Sequence, residues 1–319
     1  MARRITLVRH GESLSNLNQR WQGQGNSALS ELGRAQARAL ATRFAERAFT
    51  RIVASDLERA DHTARALERK YESSTRFREL DVGAWDGLTR DEVATRFADE
   101  LARLEAGEDL ALGGGESYGG FCARVDGALA ELRDALAPDE HALVVCHGGV
   151  IGAAVSGALG LRAQREVPIS RVFNTSISEL EYADDGRVSM RVYNDSLHLA
   201  GLSLFPHPIE TRTAIALVVG APDPAFGAFA AHYDYELGLD PGICTWTDDE
   251  TPTFLEVAGA VRMRHAEHRI ALSASSARVQ AWSHELLGAE DKLAAPAAGA
   301  LGHVMLDGRV ALIDYGVSV

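Results

Sequence analysis

Strand-like and helix-like hydrophobic patterns alternate over the first two thirds of the chain, which predicts an α/β fold. The run Ile5-Thr6-Leu7-Val8 reads as a short strand and Arg51–Ser55 as a second. Between them Ser30 caps a helix that runs to Phe44, with Leu32, Ala35, Ala39 and Leu40 on one face. A second helix is predicted over Leu57–Tyr71, and a short extended piece over Phe77–Leu80. Ser117 caps a long helix from Tyr118 to Leu136. His141–Cys146 is a third strand, and its near-continuous apolar run predicts burial on both faces. Gly148-Gly149 then opens a helix that reaches Leu159. Ser176–Tyr182 and Val188–Tyr193 read as a hairpin turning at Asp184-Asp185-Gly186.

The pattern breaks at Phe205-Pro206-His207-Pro208, where two prolines disfavour both helix and strand. This predicts two domains, residues 1–205 and residues 209–319. In the second, Thr213–Val219 and His268–Ser273 read as strands. Pro224–Leu237 reads as an amphipathic helix, with Phe226, Phe229, Ala230, Tyr233 and Leu237 on one face. Ala277–Leu287 is a helix burying Val279, Trp282 and Leu286. His303–Asp307 and Arg309–Tyr315 form a hairpin turning at Asp307-Gly308. The second part is thus expected to be a smaller α/β (α+β) domain with its own core.

At 46% hydrophobic and 24% charged residues, the composition is that of a globular protein. No stretch approaches the length of a membrane span. The four apolar residues after Met1-Ala2-Arg3-Arg4 are too few for a signal peptide, so a cytoplasmic location is expected. The net charge of −13 argues against nucleic acid or an acidic membrane surface as the main partner. Residues 206–319 carry 15 acidic against 7 basic residues, so the second part is the more one-sidedly acidic. Three widely spaced cysteines, Cys122, Cys146 and Cys244, form neither a disulfide framework nor a zinc motif. Each is read as a small buried apolar side chain.

Four segments carry chemistry. Arg9-His10-Gly11-Glu12-Ser13 follows the first strand, so His10 stands at a strand's carboxyl end, where open α/β sheets bind ligands. Arg9 beside it points to an anion. Ser55-Asp56-Leu57-Glu58-Arg59-Ala60, followed by Thr63-Ala64, places Arg59 in a helix's first turn. Arg78-Glu79-Leu80 supplies a carboxylate, with Asp81 two residues away. Val145-Cys146-His147-Gly148-Gly149 puts a second histidine between a strand and a helix N-terminus, which offers N–H groups to an anion. A cysteine-dependent phosphatase reading of Cys146 fails, because its signature needs arginine six residues on and Gly152 stands there. His265 and His268 have no companion carboxylate pattern for a metal site.

Taken in order, these segments resemble the histidine phosphatase superfamily, also called phosphoglycerate-mutase-like. The resemblance rests on Leu7–Ser13 with Asn16, Ser30–Ala37, Ser55–Ala64, Cys146–Gly149 and Asn174–Ile177, and covers about residues 4–199. It departs where many relatives carry Asp, a small residue and Pro-Leu-Thr before the helix, and this chain has Asn26-Ser27-Ala28-Leu29-Ser30. The resemblance implies a three-layer αβα sheet for this part. It implies that His10 attacks phosphorus and becomes phosphohistidine, with its other ring nitrogen donating to a carbonyl near Gly11. Arg9, Arg59 and His147 would bind the phosphoryl oxygens, with Asn16 and the Gly148 N–H as further donors. Glu79 would be the general acid and then the general base. No metal and no cofactor is implied.

The short connection after Glu79, Asp81–Thr89, lacks the insert of the mutases and is similar to the broad phosphatase branch. The expectation is therefore hydrolysis of a small phosphorylated metabolite. The alternatives are a phosphoglycerate-type mutase and a silent phosphate-binding regulatory protein. Residues 81–120 would cap the pocket, with Arg90, Arg96, Arg103 and Glu116 as candidate substrate contacts. The second domain is a candidate surface for homo-oligomerisation.

Overall fold

The computed structural model describes residues 2–162, 169, 171–199, 214–219, 269–274, 276–288, 292–296, 301–305 and 311–317. The chain divides into two compact units. One comprises Met1–Gly157, Val172–Ser176 and Tyr182–Gly186; the other comprises Ala158–Arg171, Ile177–Glu181 and Arg187–Val319.

The first unit is built on four parallel strands: β1 (Ala2–Arg9), β2 (Arg51–Ser55), β3 (Glu72–Ser74) and β4 (His141–Cys146), in the order β3-β2-β4-β1. Parallel neighbours need long crossovers, and helices supply them. These are α1 (Leu14–Leu17), α2 (Glu31–Arg43), α3 (Glu58–Arg65), α4 (Arg90–Arg96), α5 (Ala98–Glu105) and α6 (Tyr118–Asp134); α7 (Gly148–Leu159) follows β4. The apolar run of β4 is buried from Ala142 to Cys146, as its composition predicts, and Ile5, Leu7 and Val8 of β1 are buried too. Ser30 and Ser117 cap α2 and α6, accepting from the N–H groups of Gly33 at 3.0 Å and Gly120 at 3.1 Å.

The details depart from the pattern in three places. Helix α2 buries Gly33, Gln36, Ala37 and Leu40, so of the expected face only Leu40 is fully covered. The helix is turned by the contacts of its first turns. Gln36 accepts from the Glu12 N–H at 2.9 Å, and a β-carbon on Gly33 would strike the Glu12 backbone. The edge strand is Glu72–Ser74 rather than Phe77–Leu80; Thr75–Phe77 is a 3-10 turn and the chain beyond it is irregular. The second helix ends at Arg65, ahead of the expected Tyr71, with Glu68 in a left-handed conformation at φ 53°.

Residues 80–112 hold a small core of their own. Val82, Trp85, Val93 and Leu112 are buried, packed by Trp21, Leu80, Leu88, Phe97 and Leu101. Trp21 meets Trp85 edge-on, with ring centroids 5.3 Å apart.

The second unit holds a mixed sheet. Its strands are β5 (Ile177–Ala183, of which Ile177–Glu181 belong to this unit), β6 (Val188–Asp195), β7 (Ala214–Val219), β8 (Arg269–Ala274), β9 (Leu301–Met305) and β10 (Ala311–Val317), ordered β5-β6-β10-β9-β7-β8. Strands β7 and β8 are parallel, and β9 runs antiparallel to β7 and β10. Helix α8 (Ser276–Leu287) buries Val279, Trp282, Ser283 and Leu287. The expected linker at 205–208, the helix at 224–237, the turn at 307–308, Cys244, His265 and His268 lie outside the described residues.

Candidate active site

Strand register brings the two histidines together. Arg9 of β1 and Cys146 of β4 are partners across the parallel ladder, so the next residues, His10 and His147, leave neighbouring strand ends side by side. Their ring centroids are 5.2 Å apart, with planes inclined at 59°. Strand β2 pairs Ala54 with Val145, which carries Ser55 to the same level. Its Oγ lies 2.8 Å from Nε2 of His147.

Both histidines are buried. His10 Nδ1 lies 2.7 Å from the carbonyl oxygen of Gly11, which can only accept, so Nδ1 carries the proton and Nε2 presents its lone pair. Burial, and after it the charges of Arg59 and Arg9, holds His10 well below the usual histidine range, so the ring is neutral at neutral pH. The same holds for His147, where burial again leads, followed by Arg59 and His10. His147 Nδ1 is buried without a partner.

Arg59, in the first turn of α3, is wholly buried. Its Nη1 donates to Gly25 O at 2.9 Å and its Nη2 to Gly23 O at 2.8 Å, while Nε has no partner. Burial lowers its pKa to about 10, partly opposed by Glu79 and Asp86. A buried cation bonded only to carbonyls, beside an unpartnered histidine nitrogen, is a site with positive charge and donors to spare for an anion.

Arg9 donates from Nη1 to Val172 O at 2.8 Å. The segment after Val172 laces the end of β1. Asn174 Nδ2 donates to His10 O at 2.9 Å and Thr175 N to Arg9 O at 3.0 Å. Thr175 sits at φ 56°, an uncommon conformation for a β-branched residue. Asn16 is tied into the same loop, its Oδ1 accepting from Asn174 Nδ2 and from Ser13 N, each at 3.3 Å.

Glu79 spans to the other side. Its Oε2 accepts from Gly149 N at 2.9 Å, in the first turn of α7, and its Oε1 from Leu80 N at 2.8 Å. The neighbouring Asp81 instead closes a local turn, accepting from Gly83 N at 2.9 Å. Gly148 is the first residue of α7, so its N–H has no intrahelical acceptor. Of the cap residues, Arg103 pairs with Glu108, Arg96 lies over the Phe97 ring, Arg90 is exposed, and Glu116 pairs with Arg124. Cys146 is buried, which pushes its thiol pKa far up and leaves it inert.

Sequence reasoning left three contributors without a role: Ser55, Asn174 and Arg124. The first two lie inside the motifs that carry the resemblance. Arg124 stands seven residues after the Ser117 cap, on a helix that reads as core packing, and gives no local signal. Among the described residues no cluster of three or more His, Cys, Asp or Glu is arranged to hold a metal ion, and no helix is long and apolar enough to cross a membrane.

The model of the histidine phosphatase superfamily, branch 1, matches residues 5–196. The chain is 36% identical over 192 residues to glucosyl-3-phosphoglycerate phosphatase of Mycobacterium tuberculosis, covering 56% of this chain and 85% of the relative. It is 36% identical over 189 residues to probable phosphoglycerate mutase GpmB of an Enterobacter species, with the same coverage. Among solved structures it is similar to the mycobacterial glucosyl-3-phosphoglycerate phosphatase complexed with VO3, with a TM-score of 0.55 and 35% identity over 61% of this chain and 100% of that one. It is also similar to the alpha-ribazole phosphatase of Shigella flexneri, with a TM-score of 0.55 and 25% identity over 60% of this chain and 96% of that one.

Proposed function

The chain belongs to the histidine phosphatase superfamily, branch 1, and on that premise we propose that it hydrolyses the phosphate monoester of a small metabolite through a phosphohistidine on His10, without a metal ion. The observation that carries this reading is the His10 ring. It is buried beside two arginines, with Nδ1 committed to Gly11 O and the Nε2 lone pair left as nucleophile.

The substrate dianion enters between Arg9, Arg59 and His147, with the Gly148 N–H and the Asn16 amide as further donors. Its charge reverses the local balance and lets His147 take up a proton. Nε2 of His10 attacks phosphorus in line, the bond from phosphorus to the ester oxygen breaks, and Glu79 in its acid form protonates the departing alkoxide. Glu79, now a carboxylate, then takes a proton from water. The hydroxyl oxygen attacks phosphorus, the phosphorus–nitrogen bond breaks, and inorganic phosphate leaves with His10 neutral again.

The relatives include phosphatases acting on phosphorylated small molecules, which supports that substrate class. The short connection between Glu79 and Thr89 favours water over a second substrate as acceptor, hence hydrolysis rather than mutase chemistry.

The test is rapid quench with labelled substrate on wild type and His10→Ala, first on an activated aryl phosphate, then on a panel including glucosyl-3-phosphoglycerate, 3-phosphoglycerate and alpha-ribazole 5′-phosphate. An acid-labile, base-stable phosphoenzyme in wild type alone is the expected result. Activity retained in His10→Ala, or abolished in wild type by EDTA, overturns the reading.

A further inference from the structure

One guanidinium outside the phosphate site is fully spent on holding the segment that carries Glu79. Arg124, on α6, donates from Nε to Glu116 Oε1 at 2.8 Å and from Nη2 to Glu116 Oε2 at 2.7 Å. Its Nη1 donates to the carbonyls of Arg76 at 2.8 Å and Arg78 at 2.9 Å, and its Nη2 also reaches Glu79 O at 3.2 Å. These five bonds use all five N–H donors of an arginine. Arg124 has nothing left for a substrate, so its work is on the protein.

Glu116 grips the same segment from the other end. Its Oε2 accepts from Asp81 N at 3.1 Å, and its own N–H donates to Asp81 O at 2.8 Å. The pair therefore clamps the backbone on both sides of Glu79, from Arg76 to Asp81. Around Glu79 the chain has no regular secondary structure of its own, since the 3-10 turn ends at Phe77 and the next begins at Gly83. The ladder bonds that fix His10 and His147 have no counterpart here. The backbone that carries Glu79 is held by side-chain bonds instead.

We propose that Arg124, bridged to Glu116, is the positioning residue that aims Glu79 and so sets how poor a leaving alcohol the enzyme can expel. This rests on the reading of Glu79 as the general acid and base. Proton donation matters most where the leaving alkoxide is most basic, so misplacing the acid is selective. A displacement of about 1 Å is enough to cost about 100-fold in rate. An alkyl phosphate needs that proton; an activated nitrophenyl phosphate scarcely does. The second step has no such escape, because water must be activated whatever alcohol has left.

The experiment compares wild type, Arg124→Gln, Arg124→Lys, Glu116→Gln and Glu79→Gln on a series from nitrophenyl phosphate to alkyl phosphates. It reads kcat/KM and the amount of phosphohistidine at steady state. For Arg124→Gln the expected result is a loss of about 100-fold in kcat/KM on alkyl phosphates against less than about 3-fold on nitrophenyl phosphate. Phosphoenzyme accumulates with nitrophenyl phosphate, because its hydrolysis is slowed. Arg124→Lys keeps the charge but not the fork, and retains the selective defect. Glu116→Gln shows it in milder form. The ratio between two substrates in one preparation does not depend on the folded fraction, so a poorly folding variant still reports. An equal loss on all substrates in the Arg124 and Glu116 variants, or no change, overturns the proposal while Glu79→Gln shows the selective pattern. If Glu79→Gln itself lacks that pattern, the assignment of Glu79 is what fails.

Discussion

Oε2 of Glu79 sits 2.9 Å from the backbone nitrogen of Gly149, at a place where a β-carbon has no room. The obstacle to a β-carbon there is the carboxylate itself, the far end of a flexible side chain, and not backbone. Gly149→Ala is therefore predicted to separate function from stability. The carboxylate swings away at little cost to the fold, and α7 exchanges a glycine for a better helix former, a gain of up to about 1 kcal/mol. The expected outcome is an unchanged or higher melting temperature with kcat/KM on alkyl phosphates reduced about 10- to 100-fold. Thermal melts and kinetics on one preparation check it; a variant that melts lower and keeps its activity contradicts it.

Arg59 poses the opposite balance. Its burial costs solvation that two carbonyl bonds only partly return, and that cost makes sense if an anion completes the site. Arg59→Met removes the desolvated charge but strands the Gly23 and Gly25 carbonyls, so the free variant is expected within about 2 kcal/mol of wild type. Catalysis should fall by at least about 100-fold. Inorganic phosphate should raise the melting temperature of wild type by mass action and leave that of Arg59→Met unmoved. Equal phosphate shifts in both proteins count against Arg59 as a phosphate ligand.

The parts of this site that follow strand ends were readable in the chain, because register does the assembling. Apolar runs at Ile5–Val8 and Ala142–Cys146 are long enough to be recognised as strands, and whatever follows them must emerge at the same sheet edge. What escaped has no periodic signature. The strand Glu72-Ser73-Ser74 is polar and largely exposed, so backbone pairing to β2 alone makes it a strand. The face of α2 is off by about one residue because Gly33 and Gln36 answer to the Glu12 backbone, a tertiary demand that overrides amphipathic spacing. Helix α4 did carry a local signal, the Thr89 and Glu92 capping box, in which Thr89 Oγ1 accepts from Glu92 N at 3.2 Å and Glu92 Oε2 from Thr89 N at 2.7 Å. Arg124 carried none, since apart from Glu116 its partners are carbonyls about 45 residues away.

Ser55 is a short residue with a specific task. Its hydroxyl lies 2.8 Å from Nε2 of the His147 ring, and it orients that ring with the buried Nδ1 as the remaining polar atom. Ser55→Ala leaves that ring with no hydrogen-bond partner in a buried place, at a cost of about 1–2 kcal/mol in holding an oxyanion. Vanadate inhibition should weaken about 5- to 30-fold, while the phosphohistidine on His10 still forms. Vanadate inhibition as tight as in wild type rules out an orienting role for Ser55.

The two histidines together predict the response to acid. Both are held well below the ordinary histidine range, chiefly by burial and next by Arg59, so the folded protein without ligand keeps them neutral. The unfolded chain has no such constraint and takes up a proton on each as pH falls through about 6.5. Below that value the unfolded state binds more protons than the folded one, so stability is present above it and declines as pH falls. The limiting slope is about 1.4 kcal/mol per pH unit for each histidine. Urea titrations of wild type and His147→Asn at pH 7.5 and pH 5.5 should show wild type losing more stability than the variant by up to about 1.4 kcal/mol. The same depressed titration keeps the His10 ring neutral in mild acid, the form the proposed mechanism needs. Its contribution to the acidic limb of kcat/KM should therefore fall below pH of about 6.5 rather than at it. Parallel loss of stability in the two proteins would show that His147 already shares the unfolded chain's affinity for protons.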